Sequence, residues 1–170
     1  MMASVRAMVW IVEGTWQGCI DAAAAVLPAD AEVVLLHAEP ADAKVAAESA
    51  RAGLLGRHPH GRPGPGLDEI ADEEAEGLLD AAQERLGRGE LRRLRVRGRV
   101  ERAVVDALAD GIDLLVCARD GDRARLGPHS LGPATRFVVD HAPCTVILVW
   151  PDEVPDVGSI PPSPRHGPPH

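Results

Sequence analysis

Ile112-Asp113-Leu114-Leu115-Val116-Cys117-Ala118 runs directly into Arg119-Asp120-Gly121, then through a loop punctuated by Gly127 and Gly132, and on to a second apolar run from Cys144 to Trp150. Short, continuous apolar runs read as strands buried on both faces, the pattern of a parallel sheet covered by helices. A glycine-bearing loop that leaves such a strand and opens a helix exposes unpaired backbone N–H groups, which favour an anionic ligand. Residues 118–134 therefore decide both the fold and the functional question.

Working outward, Val5–Val12 reads as a first strand and is broken by Glu13-Gly14-Thr15. Thr15 is placed to cap a helix over Gln17–Leu27, in which Ile20, Ala23, Ala24 and Leu27 share one face. Ala31–Ala38 is a second strand. Ala41–Leu55 is expected to be helical in part, and Gly- and Pro-rich residues 53–66 to form a mobile surface loop. The apolar stripe of Leu67, Ile70, Ala71, Ala75, Leu78, Leu79, Ala82 and Leu86 predicts a long helix. Its acidic start and its Arg85 and Arg88 suit the helix dipole, and Gly87 and Gly89 end it.

Leu91–Val96 alternates apolar residues with arginine and so reads as a half-exposed strand at a sheet edge. Val100–Leu108 and Pro133–His141 follow as short helices. Strand and helix alternate throughout, which means an α/β three-layer sandwich with a five-stranded parallel sheet. The arginine-decorated third strand belongs at an edge and the first and fourth in the middle, giving the order 3-2-1-4-5. A ligand then sits at the switch point, between Glu13-Gly14-Thr15 and the loop after Ala118. Residues 1–150 make one domain, and the Pro-rich tail 151–170 is expected to be disordered.

Composition narrows the function. With 170 residues, 45% hydrophobic and 26% charged, the chain suits one globular domain. A formal net charge of -8 and 2% aromatics argue against nucleic-acid binding. The run Arg92-Arg93-Leu94-Arg95-Val96-Arg97-Gly98-Arg99 is the local exception, read as a solvated strand face or, less simply, as a polyanion patch. Three cysteines, two of them in apolar runs, suit free thiols in a reducing compartment. Ala7–Val12 is too short to span a membrane, so no membrane and a cytoplasmic location are expected.

No G-x-G-x-x-G follows the first strand, and no G-x-x-x-x-G-K-[ST] occurs; Lys44 is the sole lysine. Pro128-His129-Ser130-Leu131-Gly132 lacks the first glycine and the sharp turn of a nucleophile elbow, so no catalytic residue is assigned. His58, His60, His166 and His170 lack partners at ligand spacing, and no metal site is assigned. His37 is expected to be a hydrogen-bonded core residue, and Cys117 an inert thiol unless a ligand reaches it.

Four segments resemble universal stress protein domains. Ile11-Val12-Glu13-Gly14-Thr15 resembles their V-D-G-S opening, and Val34-Leu35-Leu36-His37-Ala38 their second strand. Gly98–Leu108 with Asp113-Leu114-Leu115-Val116 resembles their G-x5-I and D-L-I-V stretch. His141-Ala142-Pro143-Cys144-Thr145-Val146-Ile147-Leu148-Val149 is similar to their terminal H-A-P-C-P-V-L-V-V. The resemblance covers residues 5–150. It implies a flavodoxin-like, adenine nucleotide alpha hydrolase-like domain with a role in stress response, commonly homodimeric.

In the ATP-binding members a Gly-x2-Gly-x9-Gly-Ser/Thr loop follows strand four. Ala118, Gly121, Gly132 and Pro133 stand at those positions here, with the second spacing one residue longer. The implied nucleotide site comprises Ile11, Val12, Glu13, Gly14, Thr15, Ala38, Cys117, Ala118, Arg119, Gly121, Gly132, Pro133 and Ala134, with ATP and Mg as candidate ligands.

Each departure from that pattern has a physical consequence. A Cβ at residue 118 is unfavourable by roughly 1 kcal/mol if that position needs positive φ. Pro133 removes a hydroxyl and an N–H from any phosphate cradle, although it is also a normal first residue of a helix. Ser130 and Thr135 are candidate replacements for the hydroxyl, and Arg119, Arg123 and Arg125 for phosphate charge.

The apolar last strand, with Val146, Leu148 and Trp150, is an edge expected to pair across a two-fold axis unless the tail covers it. Two readings stand: an ATP-responsive regulatory module, or a nucleotide-free dimeric interaction module with a degenerate phosphate loop. Slow ATP hydrolysis would have to rely on Glu13.

Overall fold

The computed structural model describes residues 4–41 and 66–163. Strands β1 (Arg6–Trp10), β2 (Glu32–Pro40), β3 (Arg92–Gly98), β4 (Leu114–Ala118) and β5 (Thr145–Val149) form one parallel sheet of order β3-β2-β1-β4-β5. Helices α1 (Trp16–Val26), α2 (Leu67–Leu86), α3 (Val100–Leu108) and α4 (Pro133–His141) pack on its two faces. The architecture and strand order are those the alternation predicts.

Side-chain alternation along β1 divides the core. Ala7, Val9 and Ile11 face α1 and α2 with Ile20, Ala23 and Leu79, whereas Met8 and Trp10 face α3 and α4 with Val104, Leu108 and Val138. Both faces being covered explains the unbroken apolar runs of β1 and β4. Register fixes Met8 between Val34 and Leu115, and Val116 beside Ile147.

Helix bounds agree closely with the periodicity, and strand bounds less so. Ile112 and Asp113 stay outside β4, although Ile112 is buried and Asp113 Oδ2 accepts the Arg6 N–H at 2.9 Å. Strand β3 extends to Gly98 because it pairs with β2 from Val34 as far as Pro40. Thr15 stands at the N-cap position of α1 without capping it; its hydroxyl donates back to the Val12 carbonyl at 3.3 Å.

The arginine run is not a bare solvated face. Asp72, Glu76 and Asp80 recur at helical spacing on α2 and meet Arg93, Arg95 and Arg97, which recur at strand spacing on β3. Arg95 reaches Asp72 at 2.7 Å and Glu39 at 2.8 Å; Arg97 reaches Glu39 at 2.8 Å. These pairings neutralise the run and leave the polyanion-patch reading without free charge at Arg93, Arg95 and Arg97.

The tail, expected to lack structure from residue 151, is described through Ser163. Side chains anchor it where a proline-rich backbone cannot form a ladder. Pro151 lies so close to Gly18 that a Cβ there would be 2.8 Å from the proline Cα. Asp152 pairs with Arg123 at 2.8 Å, and the Ser159 hydroxyl oxygen accepts the Leu126 N–H at 3.0 Å. Residues 42–65, including nearly all of the expected partial helix and the 53–66 loop, lie outside the described residues, as do 164–170 with His166 and His170.

Candidate functional site

Parallel pairing of β1 with β4 brings their carboxyl ends side by side, so the Glu13-Gly14-Thr15 turn and the 119–132 loop leave the same edge of the sheet. Ile11 is buried and its N–H donates to Leu36 O at 2.8 Å, which carries the β1–β2 ladder past the end of the strand. Val12, 36% exposed, accepts the Thr15 and Trp16 N–H groups at 3.2 and 3.0 Å. Glu13 is exposed, and Gly14 takes φ of +80°, a conformation an L residue resists. Thr15 is buried beneath this turn.

Ala38 lies near the carboxyl end of β2, paired with Val96, and so shares this edge. One residue before it, the His37 Nδ1–H donates to Ile11 O at 3.0 Å, the core-type bond expected. Cys117 is fully buried on the α3/α4 face, and burial pushes its thiol up to about 12. A thiol held neutral and covered in this way is inert.

Ala118 is the last residue of β4, paired with Val149 in extended backbone. Position 118 therefore does not need positive φ, and alanine there costs nothing conformationally. Gly121 is required for a different reason: a Cβ would overlap the His129 carbonyl oxygen and come within 2.9 Å of the Ser130 and Leu131 backbone. Its N–H donates to Ser130 O at 2.9 Å, and that of Asp122 to His129 O at 2.8 Å. The loop thus folds onto itself through Gly121.

Ser130 and Thr135 are 0% and 2% exposed, so neither offers a hydroxyl to a ligand. The Ser130 hydroxyl donates to Gly127 O at 2.6 Å and accepts from Arg119 Nη1 at 2.5 Å. The Arg119 guanidinium lies over the Trp150 ring, 4.7 Å from its centroid. Arg123 pairs with Asp152, and Arg125 with Asp122 at 3.6 Å. The three arginines expected to meet phosphate charge are all engaged within the chain.

Gly132 and Pro133 open α4, Pro133 as its first residue, and Ala134 packs partly buried on the α3/α4 side of the core. Asp120, which the motif reading passes over, accepts the Gly132 N–H through Oδ1 at 2.8 Å. A signal for it does exist in the sequence. With glycine at the N-cap, α4 has no capping side chain of its own, so a nearby Asp is the natural acceptor. Two clefts flank the loop, one of about 450 Å³ lined by Asp122, Arg125, Leu126, Pro128, His129 and Pro161, the other of about 480 Å³ along α4. Among the described residues no group of His, Cys, Asp and Glu could hold a metal ion.

At the sheet's far edge β5 has, among the described residues, β4 on one side only. Val146 and Leu148 turn toward the α3/α4 core, and Trp150 closes over Arg119. The described tail contacts run across the loop and the start of α1 rather than along β5. No described helix is long and apolar enough to cross a membrane.

No family model and no curated protein matches the sequence. Several solved structures match the fold. The hypothetical protein MJ0577, whose biochemical function was assigned from its structure, aligns with a TM-score of 0.62 and 19% identity over 88% of this chain and 97% of its own. The universal stress protein UspA from Lactobacillus plantarum aligns at 0.56 and 22% identity, over 88% and 99% of the two chains. A universal stress protein in complex with cAMP aligns at 0.56 and 17% identity, over 89% and 100%. Across nearly the whole of these structures, this chain has the universal stress protein fold.

Proposed function

We propose that this chain is a universal stress protein-like regulatory domain that binds an adenine nucleotide at the carboxyl edge of β1 and β4 and acts by binding rather than by turnover. The observation that carries this reading is the juxtaposition of the Glu13–Thr15 turn with the 119–132 loop at the switch point of the sheet. A neighbour of the same fold is in complex with cAMP, which supports an adenine compound as ligand.

ATP with magnesium fits the loop poorly. Pro133 offers no N–H, the Gly132 N–H already has an acceptor, and Ser130 and Thr135 are buried. Isothermal titration and thermal shift with adenosine, AMP, cAMP and ATP test the reading. Saturable heat with at least one of them is expected; silence from all four at millimolar concentration would favour the nucleotide-free interaction module.

The unpartnered edge of β5 supports a homodimer built on that strand. Sedimentation should give a dimer for the native chain and a monomer for Thr145→Lys, which places a charge at an exposed position of that edge strand.

A further inference from the structure

We propose that Asp120 occupies the place a ligand phosphate would take at the start of α4, and thereby makes the site prefer adenine compounds with few phosphates over ATP. The inference rests on the nucleotide-binding reading above and specifies its ligand class.

Three observations meet at this point. The Asp120 carboxylate accepts the Gly132 N–H at 2.8 Å. It also lies close against that residue: a Cβ on Gly132 would be 2.9 Å from Oδ1, 3.1 Å from Cγ and 3.1 Å from Oδ2. Next along the chain, Pro133 supplies no donor at all. The N-cap N–H of α4 is therefore taken by an internal anion, and the first residue of the helix has no N–H to offer. A carboxylate is the right chemical stand-in, since it carries the charge and the paired oxygens that a phosphate would bring to a helix N-terminus.

Four further N–H groups of the loop are likewise engaged. The N–H groups of Gly121, Asp122, Ala124 and Leu126 donate to Ser130 O, His129 O, Asp122 Oδ1 and Ser159 Oγ. Arg119 is held by Ser130, and Arg123 by Asp152. A polyphosphate chain would have to displace these acceptors while facing the Asp120 charge, and each added phosphate increases that repulsion. An adenine ring and ribose at the switch point meet no such charge. Affinity should thus fall as phosphates are added, the reverse of a working phosphate loop.

The test compares the native chain with Asp120→Ala, which empties the place, and Asp120→Asn, which keeps an acceptor but removes the charge. Titrations use adenosine, AMP and ATP, and inorganic pyrophosphate is followed on the Gly132 amide by ¹⁵N NMR. The native chain should bind adenosine or AMP at least about tenfold more tightly than ATP, and Asp120→Ala should erase that gap. Asp120→Asn should narrow it. Pyrophosphate should shift the Gly132 amide in Asp120→Ala at a concentration at least about tenfold lower than in the native chain. Preference of the native chain for ATP overturns the proposal, and so does unchanged pyrophosphate affinity in both variants. If no adenine compound binds any of the three proteins, the nucleotide reading fails, and the pyrophosphate arm still decides what Asp120 does.

Discussion

The two flanks of the sheet keep their charge in opposite ways. On the β3 flank, arginines and carboxylates from separate elements interlock: Arg93, Arg95 and Arg97 on the strand, Asp72, Glu76 and Asp80 on α2, and Glu39 on β2. On the β4 flank the acceptors are mostly backbone carbonyls of the loop itself, and the loop's shape depends on Gly121 having no side chain. One flank is a network of long side chains at partial exposure, tolerant of small shifts and sensitive to salt. The other is a close fit of backbone on backbone, indifferent to salt and intolerant of one added methyl group. The scaffold flank and the flank proposed to face a ligand can thus be told apart by what holds them.

Breaking each flank at its most constrained point should give the largest effects. Gly121→Val puts side-chain atoms into the His129–Leu131 backbone and should cost about 3 kcal/mol, read by urea unfolding. Amide protection at Gly121 and Asp122 should fall with it, while protection in α2 persists. Arg95→Ala leaves Glu39 and Asp72 with Arg97 as their one remaining shared partner and should cost about 2 kcal/mol. That second loss should shrink in 1 M salt, where the screening length is about 3 Å, and the first should not. Equal salt sensitivity in the two variants would erase the contrast.

Acid sharpens the same comparison. Hydrogen bonding from Arg95, with Arg97 adding to it, holds the Asp72 carboxyl below its usual range. Burial pushes Glu39 up, but the hydrogen bonds and charges of Arg95 and Arg97 outweigh it and leave that carboxyl low as well. Groups whose folded values are depressed stabilise fully above their unfolded values, and that stability is lost as pH falls. Protection of the α2 amides, taken relative to the intrinsic exchange rate at each pH, should therefore fall progressively below about pH 4.5. Unchanged α2 protection at pH 3 would show that the ladder is decorative.

How legible this was depends on the range of the interaction. Helices α2, α3 and α4 could be read to the residue because a 3.6-residue period and flanking glycines or prolines are local signals. The strand order followed from which runs were wholly apolar and which carried arginine. Both halves of the ladder are visible in the sequence, the acidic residues of α2 and the arginines of β3, but only tertiary packing brings one over the other. The backbone at Ala118 is set by strand pairing with Val149, which the motif alone does not reveal. The role of Asp120 is not legible because its partner is twelve residues away in sequence, across a loop whose path no periodicity encodes.

The smallest expected effect concerns the tail, and it separates support from shape. Ending the chain after Trp150 removes the Asp152–Arg123 pair and the Ser159 acceptor for Leu126, both on half-exposed surface, and uncovers Gly18. Exposed pairs of this kind contribute up to about 1 kcal/mol, so global stability should drop by no more than that. The local consequence should be larger: the Leu126 amide loses its acceptor and should exchange faster. The Gly121 and Gly132 amides keep theirs, because Ser130 O and Asp120 lie within the loop. Retained protection at Gly132 would mean that the loop builds its own anion seat and the tail merely rests upon it. Loss of protection at Gly132 in the shortened chain would instead make the tail part of that seat, and the β4 flank would no longer be held by backbone contacts alone.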